Sequence, residues 1–247
     1  IDPNTLGGVL AIGAVLIAPQ ILARRPALRP RGLALLALSL TGLALALTYS
    51  RASLLAFGAG LALIAWFRPY RLYGLALLLA VTALLFLPQT QGLAERFAAA
   101  FTGSDLATQM RLGEYTDSLR LIARYPITGV GFTGTPEIDI YTDVASMYLI
   151  MANQIGLVGV SIFLLTMGAV AVYGAAAWRQ ARARPDLQAI HLGLHAALLA
   201  GLINAAADLY FFRIDFQASI TLFWLMVALA LASSRLMMDE STVAKTV

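Results

Sequence analysis

Cysteine is absent from the 247 residues, which excludes disulfides, thiolate metal sites and cysteine nucleophiles together. Charge is scarce as well: Asp, Glu, Lys and Arg make up 12% of the chain, against about a quarter in soluble domains, which need that much polar surface to stay in water. There are only two histidines, and no Asp-x-Asp pair of the kind that holds a divalent ion. The chain therefore offers neither metal ligands in the usual spacing nor a cofactor fingerprint, and neither a metal nor a cofactor is expected. What fills the sequence is apolar. Hydrophobic residues reach 60%, mean hydropathy is +0.80, and they come in uninterrupted blocks rather than in stripes, so the solvent for most of the chain is lipid.

The expected fold is all-α, a polytopic helical membrane protein. Seven blocks have the length of membrane spans: Thr5–Leu22, Gly32–Tyr49, Ala52–Phe67, Leu72–Leu87, Val144–Trp178, Gln188–Phe212 and Ile214–Leu236. Between Gly32 and Phe67 the only charge is Arg51. One helix over that stretch would run about 54 Å at 1.5 Å per residue, too long for a single crossing, so a turn is expected at Thr48–Arg51, with serines capping the next helix. The Val144 block is also too long. Gly156-Leu157-Val158-Gly159 should divide it into a short interfacial helix and a true span from about Leu157. The implied organisation is residues 1–88 as four spans, 89–156 as an outer loop with amphipathic and interfacial helices, and 157–247 as three spans and a tail. The chain opens on Ile1 without a signal-peptide pattern and reads as the C-terminal piece of a longer membrane protein.

Basic residues outnumber acidic ones 17 to 13, giving a pI near 9.6. Their placement points to topology rather than to nucleic acid, and no nucleic-acid partner is expected. With seven spans, one face collects 11 of the 17 basic and three of the 13 acidic residues, a net +8 against −4 opposite. The positive-inside rule makes that face cytoplasmic. Arg51, residues 89–143 and the end of the sixth span near Asp208 and Arg213 then lie outside.

The outer loop carries Leu112, Tyr115, Leu119 and Ile122 at helical spacing, an amphipathic helix that must end before Pro126. Arg111 with Glu114, and Asp117 with Arg120, are i,i+3 pairs of the sort any solvated helix shows. Arg111 stands apart because it falls near the expected helix start, where a cation opposes the helix dipole. Arg51 reads equally as a phosphate ligand, through its planar fork, and as an interfacial anchor. Gly129-Val130-Gly131-Phe132-Thr133-Gly134 spells G-x-G-x-x-G, yet a helix precedes it and Pro136 follows, so Gly129 and Gly131 mark a tight turn that lets the loop backbone approach the membrane-embedded helices, or a ligand phosphate, rather than a dinucleotide site. His191 and His195, i,i+4 without a third ligand, fit interhelical hydrogen bonds better than a metal. Asp208 pairs most simply with Arg213, and as an intramembrane carboxylate it is a functional candidate as well.

Three stretches resemble the O-antigen ligase and O-antigen polymerase family of membrane glycosyltransferases. Asp2-Pro3-Asn4, followed after a span by Thr48-Tyr49-Ser50-Arg51-Ala52-Ser53, is similar to the family's Pro-Asn start and Ser-Arg signature. Arg111-Leu112-Gly113-Glu114-Tyr115, leading to Tyr125-Pro126-Ile127-Thr128-Gly129-Val130-Gly131-Phe132, resembles its arginine-bearing loop helix and Pro-x-x-Gly-Val-Gly turn. Tyr148-Leu149 and Gln154-Ile155-Gly156-Leu157-Val158-Gly159 resemble its Tyr-Leu and Glu-x-Gly-Leu-Ile-Gly stretch. One departure stands out: many members carry His-Asn just ahead of the Tyr-Leu, where this chain has Ala145 and Ser146.

The resemblance implies transfer of a glycan from undecaprenyl diphosphate to a lipid or saccharide acceptor, in lipopolysaccharide biosynthesis, at the periplasmic face of a bacterial inner membrane. Membrane lipids are the remaining partner. A diphosphate leaves as a stabilised anion, so positioned arginines can replace a metal; Arg51 and Arg111 are the expected donor ligands. Without the histidine the acceptor base must be a carboxylate, Asp143 first, then Glu114 and Asp139. Asp143 also reads as a helix N-cap, a position for which Asp is well suited. The competing reading is a transporter or flippase for a lipid-linked substrate, which should show repeated halves and charges deep in the bilayer; a structural scaffold would need neither arginine.

Overall fold

A computed structural model describes residues 3–23, 25–26, 30–67, 70–84, 106–132, 144–180, 183–212 and 216–243. All regular structure among them is helical. In chain order the helices are α1 (Pro3–Ile17, continued by a 3₁₀ turn at Ala18–Ile21), α2 (Arg31–Leu47), α3 (Arg51–Trp66), α4 (Arg71–Leu84), α5 (Leu106–Arg124), α6 (Met147–Trp178), α7 (Gln188–Asn204) and α8 (Gln217–Val243).

The expectation of seven spans is only partly met. Among the described residues, three helices are long and apolar enough to cross a membrane: Pro3–Ile21, Met147–Trp178 and Gln217–Asp239. Arg31–Leu47, Arg51–Trp66, Arg71–Ala80 and Gln188–Asn204 are apolar but shorter. A 17-residue helix rises about 26 Å, less than the ~30 Å of hydrocarbon. Two of the blocks run past their helices into turns. Thr48–Ser50 joins α2 to α3, and α7 stops at Asn204 although its apolar block runs on to Phe212.

The turn expected at Arg51 is there, and its chemistry is local. Tyr49 takes a left-handed φ of 51°, and the Ser50 hydroxyl accepts the Ser53 N–H at 3.4 Å, capping α3. The break expected in the Val144 block falls at Gly156, where φ is 69° inside α6. Residues 157–178 then form a segment of about 33 Å, enough for one crossing.

The chain folds as two compact units. The first comprises Ile1–Val81, Gly168–Asn204 and Thr221–Val247. Its centre is α7, apolar all round and mostly buried, as a helix enclosed by others must be. Both α1 and α3 pack along it. In lipid there is no hydrophobic force between helices, so close approach at small residues and interhelical hydrogen bonds must hold them. Both devices are present. A Cβ at Gly193 would fall 2.7 Å from the Leu16 carbonyl oxygen, and one at Gly60 2.6 Å from Val15 Cγ2 and 3.3 Å from the Ala196 carbonyl oxygen. His191 bonds the Ser233 hydroxyl at 3.0 Å and the Gly174 carbonyl at 3.1 Å, while His195 meets the Ser234 hydroxyl at 3.0 Å. The two histidines thus tie α7 to α6 and α8, the role their spacing suggested. On α2, Ala34, Leu38 and Leu45 face inward, and Leu36, Leu40, Leu43 and Leu47 are left exposed as a lipid-facing row.

Within this unit the two ends differ. At one, the Phe67 ring packs tilted against Trp178 (4.3 Å between centroids), and Arg184 grips Asp186 while donating to the Leu236 carbonyl. The Arg184 hydrogen bond holds the Asp186 carboxyl below its ordinary range. At the other end Ser50, Ser53 and Asn204 form a buried chain, Oγ to Oγ at 2.9 Å and Ser53 Oγ to Asn204 Oδ1 at 3.0 Å, with Gly7 of α1 packed against it.

The close α1–α7 approach yields a paired test. Gly193→Ala should cost about 1–3 kcal/mol, since a backbone oxygen must move. Gly13→Ala, with open space around it, should be neutral or stabilising, because alanine favours the helix. Thermal unfolding in detergent should separate the two variants; equal midpoints would contradict the packing.

Candidate functional site

The second unit, Thr82–Met167 with Ala205–Ile220, contains the loop residues that the sequence singled out. Its organising feature is the break at Gly156. A helix interrupted there leaves backbone groups without their i→i−4 partners, and buried groups of that kind cost about 1–3 kcal/mol each if left unmet. The turn after α5 meets them. Val130 N–H donates to the Asn153 carbonyl at 2.7 Å, Gly131 N–H to the Gln154 carbonyl at 2.9 Å, and Leu157 N–H to the Pro126 carbonyl at 2.8 Å. Pro126 contributes only its carbonyl, which suits a residue with no N–H.

Such contact needs glycine on both sides. Gly129 and Gly131 have φ of 65° and 82°, which glycine adopts without penalty. A Cβ at Gly129 would lie 2.5 Å from the Asn153 carbonyl oxygen, and one at Gly156 would overlap the Ile127 carbonyl. The glycine turn is therefore an approach of backbone to backbone. Gly131 has open space around its Cα, so its requirement is conformational alone.

Helix α5 presents a different face from the one its leucines suggested. Leu112 and Leu119 are exposed, while Ser118 and Leu121 are buried and Arg111, Glu114, Tyr115 and Ile122 partly so. The inward stripe is shifted round the helix and is largely polar, because specific hydrogen bonds hold it. Ser118 Oγ donates to Asn153 Oδ1 at 3.0 Å, both groups being buried. The Ala145 N–H donates to Glu114 Oε2 at 3.2 Å, and the Tyr115 hydroxyl donates to the Ala145 carbonyl at 3.3 Å. Two consecutive α5 side chains thus hold the backbone of one residue, from its N–H and from its carbonyl. Met147 N–H meets the carbonyls of Ala205 and Asp208 at 2.8 Å each, which fixes the start of α6 against the segment carrying buried Asp208.

The electrostatics of this group centre on Tyr115. Burial pushes its hydroxyl above the ordinary tyrosine value; Arg111 opposes that, and Glu114 and Asp208 add to it. The phenol stays protonated and remains a donor to Ala145. Arg111, Glu114 and Asp208 all act on one phenol, so a cation and two carboxylates share this part of the unit.

The candidates from sequence are distributed as follows. Arg111, Glu114, Gly129 and Gly131 belong to the second unit, with Glu114 beside Ala145. Arg51 is the first residue of α3 in the first unit, directly after the Ser50 cap and partly buried. Asp139, Asp143 and Arg213 lie outside the described residues. Asp117 and Arg120 form the expected surface pair at 3.0 Å. One inference is corrected: α5 begins at Leu106, so Arg111 is in its second turn, beyond the reach of the terminal dipole. That argument applies to Arg51 instead, a cation placed at a helix N-terminus. Tyr115, Ser118, Asn153 and the position of Asp208 were missed as a group. The 111, 114/115, 118, 121/122 spacing was available, but its polar members read as the solvated side.

If the turn supplies the bonds that the helix break forfeits, Gly156→Ala should expose them. Amide exchange at Val130, Gly131 and Leu157 should accelerate, whereas Gly113→Ala, with open space around it, should leave those amides protected. Unchanged protection in Gly156→Ala would show that the turn and the break are independent.

Residues 34–164, just over half of the chain, match the family model described as O-antigen ligase. The match runs from α2 into the second part of α6 and includes Arg51, Arg111, Glu114, the glycine turn and Gly156. No curated protein matches the chain. With its apolar, all-helical architecture, the chain belongs to the O-antigen ligase family, whose members have a membrane location and a glycosyltransferase-like function.

Proposed function

We propose that the protein transfers a glycan from undecaprenyl diphosphate to a lipid or saccharide acceptor at the periplasmic face of a bacterial inner membrane, by metal-independent inversion. The observation that carries this reading is the hold of Glu114 and Tyr115 on the backbone of Ala145. It fixes the loop helix that carries Arg111 and Glu114 to the stretch where the family resemblance places a histidine, two residues after Asp143.

Outside the cytoplasm there is no nucleotide-sugar pool, so the donor must arrive activated and membrane-anchored. A polyprenyl diphosphate meets both needs. The acceptor hydroxyl attacks the anomeric carbon from the face opposite the diphosphate, the bond to the diphosphate oxygen breaks, and that oxygen keeps the electron pair. Arg51 and Arg111 are the cations proposed to meet the growing charge, on their chemistry alone: a guanidinium fork matches two phosphate oxygens where an ammonium offers a point charge. The hydroxyl proton passes to a carboxylate. Glu114 already engages the backbone, which suits it to holding the segment, so Asp143 is the first choice of base and Asp139 the next.

In proteoliposomes of matched protein content, Arg51→Lys should impair transfer nearly as much as Arg51→Ala. Near-normal transfer by the lysine variant would assign Arg51 to anchoring. Asp143→Asn keeps an N-cap acceptor but removes the base, and transfer should fall by at least about 100-fold with donor binding intact. Glu114→Gln, which still presents an amide oxygen to Ala145, should retain most activity. The reverse ranking would move the base to Glu114.

A further inference from the structure

We propose that the outward face of α5 and the tip of the glycine turn are inserted into the outer boundary of the bilayer, so that lipid acyl chains, rather than water or a protein, cover them. The inference requires the membrane location of the family and does not depend on which glycan is transferred or on the identity of the base.

Its basis is a departure from the usual amphipathic pattern. A helix on a soluble surface turns its polar stripe to water. Helix α5 turns Arg111, Glu114 and Ser118 inward and leaves Leu112 and Leu119 exposed at 55% and 58%. These leucines are seven residues apart, two turns along one face, with exposed Thr116 and Ala123 between and beyond them. The turn that follows continues the surface: Ile127 is 67% and Phe132 65% exposed. Two large apolar side chains at the tip of a tight turn are costly in water, at about 1.5–3 kcal/mol each.

Continuity with the lipid-facing surface decides the occupant. The turn is bonded to α6 where the spanning segment begins, Pro126 to Leu157 and Gly131 to Gln154. From there Leu157, Val158, Ile162 and Leu165 are exposed along the span, a face suited to hydrocarbon. Ile127 and Phe132 therefore stand beside the first turn of a lipid-facing helix, at the depth where hydrocarbon gives way to headgroups. Phe132 also sits 6.2 Å from the Phe212 ring, and aromatic rings are favoured at this level of the membrane. Flanking the leucines, Arg120 and Arg124 are exposed, and their long side chains can extend to lipid phosphates while the leucines enter the apolar layer.

The cysteine-free chain allows a direct test. Single cysteines at Leu112, Leu119, Ile127 and Phe132, with Arg120 as the polar reference, would be spin-labelled in the full chain in lipid nanodiscs. Accessibility to oxygen, which concentrates in hydrocarbon, would be compared with accessibility to a water-soluble nickel chelate. Labels at 112, 119, 127 and 132 should favour oxygen, with a depth of about 5–10 Å into the boundary region, and the label at 120 should favour nickel. Nickel accessibility at the four apolar sites would mean that the face is in water. Low accessibility to both reagents would mean that protein covers it. Either result overturns the proposal.

Discussion

The break at Gly156 is the constraint on which the second unit depends. A backbone group without a hydrogen bond is tolerated in water and expensive in a membrane, so a helix can be interrupted at this depth only if another segment supplies partners. Here the interruption and its remedy are both written in glycine. Gly156 opens the ladder, Gly129 brings the turn within reach, and Pro126, Val130 and Gly131 complete the bonds. Fixing the turn also fixes the end of α5, since Gly129 N–H still bonds the Tyr125 carbonyl. Ser118, Tyr115 and Glu114 then fall on Asn153 and Ala145. One break in a helix thereby positions a polar stripe two turns away.

The first unit solves a different problem with the same scarcity of polar groups. Leucine against leucine gains nothing over leucine against lipid, so specificity comes from glycines that let backbones touch and from a few hydroxyl and imidazole bonds, each worth about 0.6 kcal/mol on average in a membrane. The Ser50–Ser53–Asn204 chain is such a set, and it sits directly behind Arg51. A guanidinium placed against the positive end of α3 is unfavourable for the helix; an anion beside it would reverse the sign.

Much of this was legible in the sequence because it follows from single residues with strong local effects. Arg51 between two apolar runs forced a turn, Gly156 forced a break, Pro126 ended α5, and His191 and His195 had too few companions for a metal. What could not be read was which face of a helix goes inward when the solvent is itself apolar. Leu112 and Leu119 marked the inner face of α5 under the rules of water, and the hydrogen bonds of Ser118 and Glu114 decided otherwise. Two of the apolar blocks outrun their helices for a related reason. Apolar composition continues through turns such as 205–212, so block length overstates helix length where the chain bends within the membrane or at its edge.

The central claim is that a lipid-anchored diphosphate, held without a metal, is the glycosyl donor. Full-length protein in proteoliposomes, given a labelled undecaprenyl-diphosphate glycan and an acceptor in the presence of a chelator, tests it most directly. The account predicts acceptor-dependent loss of the labelled donor, release of undecaprenyl diphosphate and a product of inverted anomeric configuration. Transfer that requires a nucleotide sugar or an added divalent ion, or a product of retained configuration, would contradict it.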